Sequence, residues 1–376
     1  MKNGSRLLRS LLKVSEKAAN IARACRQNES LFELLIQEKT SQEKNPRFFQ
    51  DFKTLADVLI QETIRHDIGI EFPELAKMIK GEENNTFSNT LGETITVEVC
   101  PTLAETTELL AKVLDNDDRT AHLLSTEVHR DVVLTDVPIN IIDVPTDFEI
   151  AIDDLSIWVD PIDNTADYIN GNESIDQESG LHLTGLHCVT VLIGAYLQST
   201  GLPVMGVVNQ PFYEKRDLLW KGSCYWGLFD NGIKNCSIKK EDDDDDNEDN
   251  NLEENSKCKV LLSRFESHEM KTRLIEKGFT PIEAAGAGYK ILSVATGQVD
   301  AYILTKGTTY RWDTCGPQAI LRSLGGGIID FQNCQAKPNS ILVDINYANS
   351  EISNKGGLIA YRDSKTLSNL CAALFQ

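Results

Sequence analysis

The run Trp158-Val159-Asp160-Pro161-Ile162-Asp163-Asn164-Thr165 ends an apolar stretch in two carboxylates, with a hydroxyl two residues beyond the second. Pro161 stiffens the backbone there and has no amide hydrogen. A turn at this point aims Asp160, the Ile162 carbonyl and Asp163 at one spot, an all-oxygen set suited to Mg²⁺. An Asp-rich turn that merely closes a strand gives the same D-P-x-D pattern. Four further stretches carry candidate chemistry. Gly81-Glu82-Glu83-Asn84 sets adjacent acids behind a glycine, a pattern that a solvated loop shares. Asp57 follows Thr54 at the spacing of a helix capping box, so it is either a reactive acid or a cap. Asp313, in Trp312-Asp313-Thr314-Cys315-Gly316-Pro317, stands where an acid can also cap a helix. In Ala284-Ala285-Gly286-Ala287-Gly288-Tyr289-Lys290 the small residues let backbone amides approach a ligand. A helix opening there, with Lys290 beside it, favours an anion such as phosphate.

Regular elements must hold these groups. Leu7, Leu8, Leu11, Leu12, Ala18, Ile21, Ala22 and Cys25 recur at helical spacing, and Leu31, Leu34, Leu35 and Ile36 suggest that this helix continues or restarts. A second helix is predicted over about 54–65. Short strands are predicted at 141–142 and 150–159, then an antiparallel run over 183–196, 203–208 and 217–226 with turns at Thr200-Gly201 and Gly222. Residues 236–257 hold almost no apolar side chain and read as a disordered acidic loop. Beyond it the pattern alternates: strand 259–263, helix 266–277, a helix opening near Gly288, strand 300–305, a helix from about Gly316 and strand 327–331. The expected class is α+β. An N-terminal α+β domain over 1–235 would carry most of the acids, and an α/β domain over 258–376 would carry Asp313.

The chain has 376 residues, 41% of them hydrophobic, enough for two packed units or one large one. Its net charge is −20, of which residues 241–255 supply ten acids and no base, leaving −10 elsewhere. Without clustered Lys and Arg, nucleic-acid binding through the phosphate backbone is not expected, whereas divalent cations are compatible. Lys2, Arg6, Arg9 and Lys13 are interleaved with leucines and no uninterrupted apolar core follows, so neither a secretory signal nor a membrane span is expected. Nine cysteines without a C-x-x-C pair read as reduced, mostly buried thiols of a cytoplasmic protein. The six histidines show no metal-binding spacing.

Taken in chain order, D, E-E, W-V-D-P-I-D-x-T, G-A-G-Y-K and W-D-x-C-G-P resemble the lithium-sensitive, Mg²⁺-dependent phosphatase superfamily of inositol monophosphatase, bisphosphate nucleotidase and fructose-1,6-bisphosphatase. Four longer blocks, V-S-E-K-A-A-N-I-A-R-A-C-R (14–26), D-F-K-T-L-A-D-V (51–58), W-K-G-S-C-Y-W-G-L (220–228) and N-K-G-G-L-I-A-Y-R (354–362), are similar to its inositol polyphosphate branch. The resemblance covers nearly the whole chain except the acidic stretch. It implies a five-layered α-β-α-β-α fold, an antiparallel sheet domain followed by a smaller α/β domain. It implies two or three Mg²⁺ ions held by Glu82, Asp160, the Ile162 carbonyl, Asp163 and Asp313, with Asp57 and Glu83 beside them.

The same resemblance implies in-line attack of activated water on phosphorus, without a phospho-enzyme. Thr165 and Glu82 would orient and deprotonate that water, and Asp57 would accept a hydrogen bond from the Thr165 hydroxyl. Asp163, Asn164, Thr165, Ala287, Lys290 and Asp313 would contact substrate, together with Ser263 and Glu266 at a strand-to-helix junction. Asn164 stands where Gly or Ser is usual, and Gln318 replaces a frequent His. The implied reaction removes the 1-phosphate of inositol 1,4-bisphosphate and inositol 1,3,4-trisphosphate, with Li⁺ as inhibitor. Small inositol phosphates are then the partners of a cytoplasmic monomer in phosphatidylinositol signalling, with no nucleic acid and no membrane. Two alternatives stay open: a 3′(2′),5′-bisphosphate nucleotidase, which shares the metal motif, and a non-catalytic scaffold that uses the acidic tract.

Overall fold

The leucine-rich N-terminus folds as one long helix, α1 (Asn3–Gln27), whose apolar face, from Leu7 to Cys25, is buried. The computed structural model describes residues 1–27, 32, 35–39, 52–89, 91–239, 258–336 and 344–375. Helix α2 (Leu55–Glu71) packs against α1 and is capped by Thr54. Helices α3 (Leu103–Val113) and α4 (Asp118–Val128) form a hairpin beside them, each started by a side-chain cap, Thr102 and Asp117.

The first sheet has six strands: β1 (Ile79–Gly81), β2 (Leu155–Asp163), β3 (Thr190–Leu197), β4 (Pro203–Arg216), β5 (Leu219–Asp230) and β6 (Ile233–Cys236). They lie side by side in chain order, antiparallel except for the β1–β2 pair. Every residue of β2 is buried, since helices cover both faces of the sheet. The short helix α5 (Thr165–Asn170) follows β2 directly.

The second sheet is mixed. Strands β7 (Lys259–Ser263), β8 (Thr280–Ala284), β9 (Ala301–Leu304), β10 (Gly327–Asp330) and β11 (Leu358–Tyr361) take the order β8-β7-β9-β11-β10, with β7 parallel to β8 and β9. Strand β11 runs antiparallel to β9 and β10. Helix α6 (His268–Glu276) follows β7, α7 (Ala287–Ala295) follows β8, and α8 (Arg311–Leu324) follows β9. Helices α9 (Phe331–Ala336) and α10 (Ser364–Phe375) close the outer face together with α6. Helices α7 and α8 lie between the two sheets, so the layers run α-β-α-β-α, as expected. The apolar cluster of that middle layer joins Trp158, Leu192 and Val208 from the first sheet to Leu261, Tyr302 and Ile328 from the second.

Several local expectations differ from the structure. Residues Ile141–Asp143 form a 3-10 turn with Ile142 exposed, because no partner strand covers them. The strand predicted at 150–159 begins only at Leu155, after a 3-10 turn over Ile152–Asp154. The strand predicted over 183–196 is split into His182–Thr184 and β3 by a 3-10 turn at Leu186–Cys188. Gly222 lies inside β5, and the reversal occurs instead at Asp217-Leu218, both left-handed with φ of 49° and 69°. Ile36 belongs to a strand, Ile36–Glu38, not to a continued helix, while Leu31 and Leu34 lie outside the described residues. Helix α8 opens at Arg311, ahead of the predicted start near Gly316. The acidic tract 241–255 also lies outside the described residues. No helix among the described residues is long and apolar enough to cross a membrane.

Candidate active site

The end of β2 is bent by a bulge: Asp160 pairs with Leu192, but Asp163 pairs with Thr190, so three steps on β2 face two on β3. The bulge leaves Pro161 and Ile162 without register partners and bends the strand between the two carboxylates. Asp313 comes from the other half of the chain, in the first turn of α8, where its Oδ2 accepts from the Tyr310 amide. Carboxylate oxygens of Asp160, Asp163 and Asp313 all lie within 4.8 Å of one another. Asn354 fixes that helix start, since its amide donates to the Tyr310 carbonyl at 2.9 Å and its Oδ1 accepts from Arg311 at 2.6 Å.

Glu82 and Glu83 follow β1, and Gln61 of α2 clamps Glu83 by both its amide and its carbonyl. The clamp requires glycine at 81, because a Cβ there would sit 1.9 Å from Gln61 Oε1. Buried Lys39 places its ammonium 2.6 Å from an oxygen of Glu82 and 2.6 Å from one of Glu83. Asp57 is a cap as well as a site acid: its Oδ2 accepts from the Thr54 amide at 2.6 Å and the Thr54 hydroxyl at 2.7 Å. Its Oδ1 is buried with no hydrogen-bond partner among the described residues, as is Asp160 Oδ1.

These placements revise three expectations. The Thr165 hydroxyl donates to the Ile162 carbonyl at 3.1 Å rather than to Asp57. The amides at the start of α7 meet a protein anion, since Ala287 N and Gly288 N donate to Asp163 at 3.2 and 2.9 Å. Glu266 does not line the cavity that holds the other candidates: it accepts from the Ser267 amide and from both the amide and hydroxyl of Thr305, and so ties β7 to the end of β9. Glu82, Asp160, Ile162, Asp163, Asn164, Thr165, Ser263, Ala287, Lys290 and Asp313 do line one cavity of about 180 Å³. Asn164 is left-handed, with φ 72° and ψ 49°, a conformation that Asn adopts more readily than most residues. Its side chain donates to Asp167 at 2.9 Å.

Arg264, Tyr302, Thr308 and Trp312 share the cavity and were not singled out by their spacing, although Trp312 lies inside a motif already noted. Thr190, which donates to Asp163 at 3.1 Å, had no sequence signal, because its relevance arises only through strand pairing. Asn354 stands at the head of the block 354–362, a signal available in the sequence.

The electrostatics follow from this crowding. Burial, then the charges of Glu82, Asp163 and Asp313, pushes Asp160 well above the ordinary carboxylate range. Asp313 is likewise raised well above it, by burial and by Asp163. Asp163 is raised by burial, against the lowering influence of Lys290 and the α7 amides. Burial brings Asp57 to about 7, and burial with Glu82 brings Glu83 to about 8. Burial works to lower the Lys39 ammonium, but the two glutamates outweigh it and raise its pKa. All-oxygen donors and two buried carboxylate oxygens with no hydrogen-bond partner among the described residues together fit a hard divalent cation.

Comparison with known proteins agrees with this geometry. Residues 75–367 match the inositol monophosphatase family. Inositol polyphosphate 1-phosphatases from Mus musculus and Homo sapiens are 45% and 44% identical to this chain, each over 99% of it and 98% of their own length. A 3′(2′),5′-bisphosphate nucleotidase 1 from Dictyostelium discoideum is 30% identical over 57% of this chain and 62% of its own. Among solved structures, the extragenic suppressor protein suhB from Bartonella henselae aligns over 98% of both chains with a TM-score of 0.51 and 13% identity, a likeness of fold alone. By sequence match across more than half its length, the chain belongs to the inositol monophosphatase family, and it is a phosphatase.

Proposed function

We propose that this chain hydrolyses the 1-phosphate of inositol 1,4-bisphosphate and inositol 1,3,4-trisphosphate in a Mg²⁺-dependent, Li⁺-inhibited reaction in the cytoplasm. The observation that carries the chemistry is the meeting of Asp160, Asp163 and Asp313 from distant stretches within 4.8 Å. The likeness to inositol polyphosphate 1-phosphatases extends over 99% of the chain, whereas the nucleotidase likeness covers 57%. That difference supports the choice of substrate.

Glu82, Asp160, the Ile162 carbonyl, Asp163 and Asp313 would hold the cations, with Asp57 and Glu83 beneath them. Mg²⁺ bound there supplies acidification of water and neutralisation of charge on the phosphoryl oxygens. The chain's own groups do the positioning. Glu82, at the cavity wall, accepts the proton of the attacking water, and the Thr165 hydroxyl orients it. Asp57 stays in its cap and holds the start of α2 under the site, rather than relaying through Thr165. Lys290 and Arg264 offer positive charge to phosphate on the cavity side, and Ser263 and Ala287 bound the space for the ring.

Release of inorganic phosphate from inositol 1,4-bisphosphate and from adenosine 3′,5′-bisphosphate, measured side by side, tests the reading. The inositol substrate is expected to turn over faster, only with Mg²⁺, and Asp160→Ala to lower kcat by at least about 10³-fold, a scale set by loss of electrostatic stabilisation. Faster turnover of the nucleotide would transfer the chain to the other substrate class. Unchanged activity in Asp160→Ala would overturn the metal-site reading.

A further inference from the structure

We infer that Glu173, His182 and His187 form a second cation site, suited to zinc or a similar transition metal rather than Mg²⁺. Three segments bring them together: the stretch after α5, the strand His182–Thr184 and the turn Leu186–Cys188. Ligand atoms of all three lie within 4.8 Å of one another. Glu173 Oε2 is 3.0 Å from His187 Nδ1 and 3.7 Å from His182 Nδ1. One carboxylate oxygen and two imidazole nitrogens are the donors that Zn²⁺ prefers, with a fourth position left to water, whereas Mg²⁺ selects oxygen. The six-histidine sequence gives no hint of this, because the ligands are spaced nine and five residues apart.

Two features prepare the site. Glu173 is already oriented, since its other oxygen accepts from the Leu186 amide at 2.7 Å. Partial burial works to raise the Glu173 carboxyl, but the neighbouring His182 and His187 rings and the Leu186 amide outweigh it and lower its pKa to about 2. His182 Nδ1 is shielded from solvent and has no hydrogen-bond partner among the described residues. The two rings stack at 3.7 Å with an 11° interplanar angle, so a shared ion requires one of them to turn about its Cβ–Cγ bond. His182 is the ring less firmly held, at 3.7 Å from Glu173 against 3.0 Å for His187, which also meets Trp220 edge-on. Main-chain groups beside the site hold side chains of the active-site loop: Gly185 N donates to Asp167, and the Cys188 carbonyl accepts from Asn164. Its occupancy would therefore stiffen the segment that supports Asn164 and Thr165.

Titration calorimetry of the tag-free full chain with Zn²⁺ alone, in millimolar Mg²⁺ to hold the first site, tests this. The wild type is expected to bind one Zn²⁺ that the double variant His182→Gln/His187→Gln does not. His182→Gln alone should weaken binding by more than about 100-fold, beyond the loss of an outer-shell partner. Zn²⁺ should raise the Tm of the wild type and leave that of the double variant unchanged, and Co²⁺ should give the visible absorption of a four-coordinate site only in the wild type. Equal zinc affinity in wild type and double variant, or a Co²⁺ spectrum identical in both, would overturn the assignment. So would zinc that Mg²⁺ displaces completely, which would place binding in the carboxylate site.

Discussion

Asp57 Oδ1 and Asp160 Oδ1 are buried without a hydrogen bond among the described residues, beside acids that repel them. Such atoms carry a desolvation cost until a cation reaches them, and this sets the pH behaviour of the metal-free protein. A carboxylate whose pKa is raised on folding binds its proton more tightly in the folded state. Its contribution to stability is complete below the unfolded value and is lost as pH rises through the folded one. With Asp57 near 7 and Glu83 near 8, against ordinary values of 3.8 and 4.5, the metal-free protein should lose stability between about pH 4 and 8. Saturating Mg²⁺ should flatten that decline, adding about 2.7 kcal/mol at one hundred times its Kd. Asp160→Asn keeps the shape and removes a charge, so at pH 8 it should raise the metal-free Tm while abolishing the Mg²⁺-induced shift. Thermal unfolding at pH 5, 6.5 and 8, with and without Mg²⁺, checks both, and a metal-free Tm that rises with pH would contradict the assignment of the cluster. The acids themselves were legible as residue types in motif order. What each oxygen does was not, because Asp57 caps with one oxygen and leaves the other unpaired, and Asp163 occupies a helix start 124 residues away.

At the level of elements, the site depends on how closely α8 lies on the first sheet. Gly194, Gly206 and Gly227 are direct neighbours across β3, β4 and β5. A Cβ on Gly194 would fall 2.3 Å from Gly316 N, one on Gly206 2.0 Å from Gly316 O, and one on Gly227 2.7 Å from the Ile320 Cα. Gly316 answers from the helix, where a Cβ would meet the Ile193 carbonyl at 2.7 Å. Backbone therefore rests on backbone, and that contact sets the height at which the first turn of α8 presents Asp313. Gly206→Ala must push the helix outward, since the opposing atoms are main chain and cannot swing aside. The expected cost is at least about 1–3 kcal/mol of stability, the usual range for overpacking. Weaker Mg²⁺ affinity should accompany it, with the activation curve displaced to higher concentration although Asp313 is still present. Denaturant unfolding and Mg²⁺ titration of activity read the two effects, and an Ala variant with wild-type Mg²⁺ dependence would separate the helix from the site. This cradle was invisible to periodicity, which reads a glycine in a strand as a weak point or a turn, as at Gly222. The start of α8 was hidden similarly: Gly316-Pro317 looks like a helix opening, yet tertiary packing carries the helix back to Arg311. Long strands and helices with continuous apolar faces were readable, whereas 3-10 turns such as Ile141–Asp143 depend on what lies above them.

For the whole molecule, the argument turns on charge. The middle apolar cluster ties the two sheets together, so the carboxylate site is built from both halves of the chain and senses the field of all of it. That field is strongly negative, at −20, while the proposed substrate is itself a polyanion. Ten of those charges lie in 241–255, the stretch that joins the edge strand β6 of one sheet to β7 of the other. If the tract is a solvated insertion, replacing it with a neutral Gly/Ser segment of equal length halves the net charge without changing any cavity residue. The kcat should then be unchanged within about twofold. At low ionic strength kcat/KM should rise, because less negative charge opposes the approaching phosphates, and the gain should fade near 0.15 M salt, where the Debye length falls to about 8 Å. A scaffold role for the tract predicts the reverse emphasis: unchanged rates at every ionic strength, with loss of basic partners as the measurable effect. Initial rates for both proteins across a salt series decide between them. A fall in kcat of more than about tenfold on replacement would give the tract a part in catalysis that none of the cavity geometry requires.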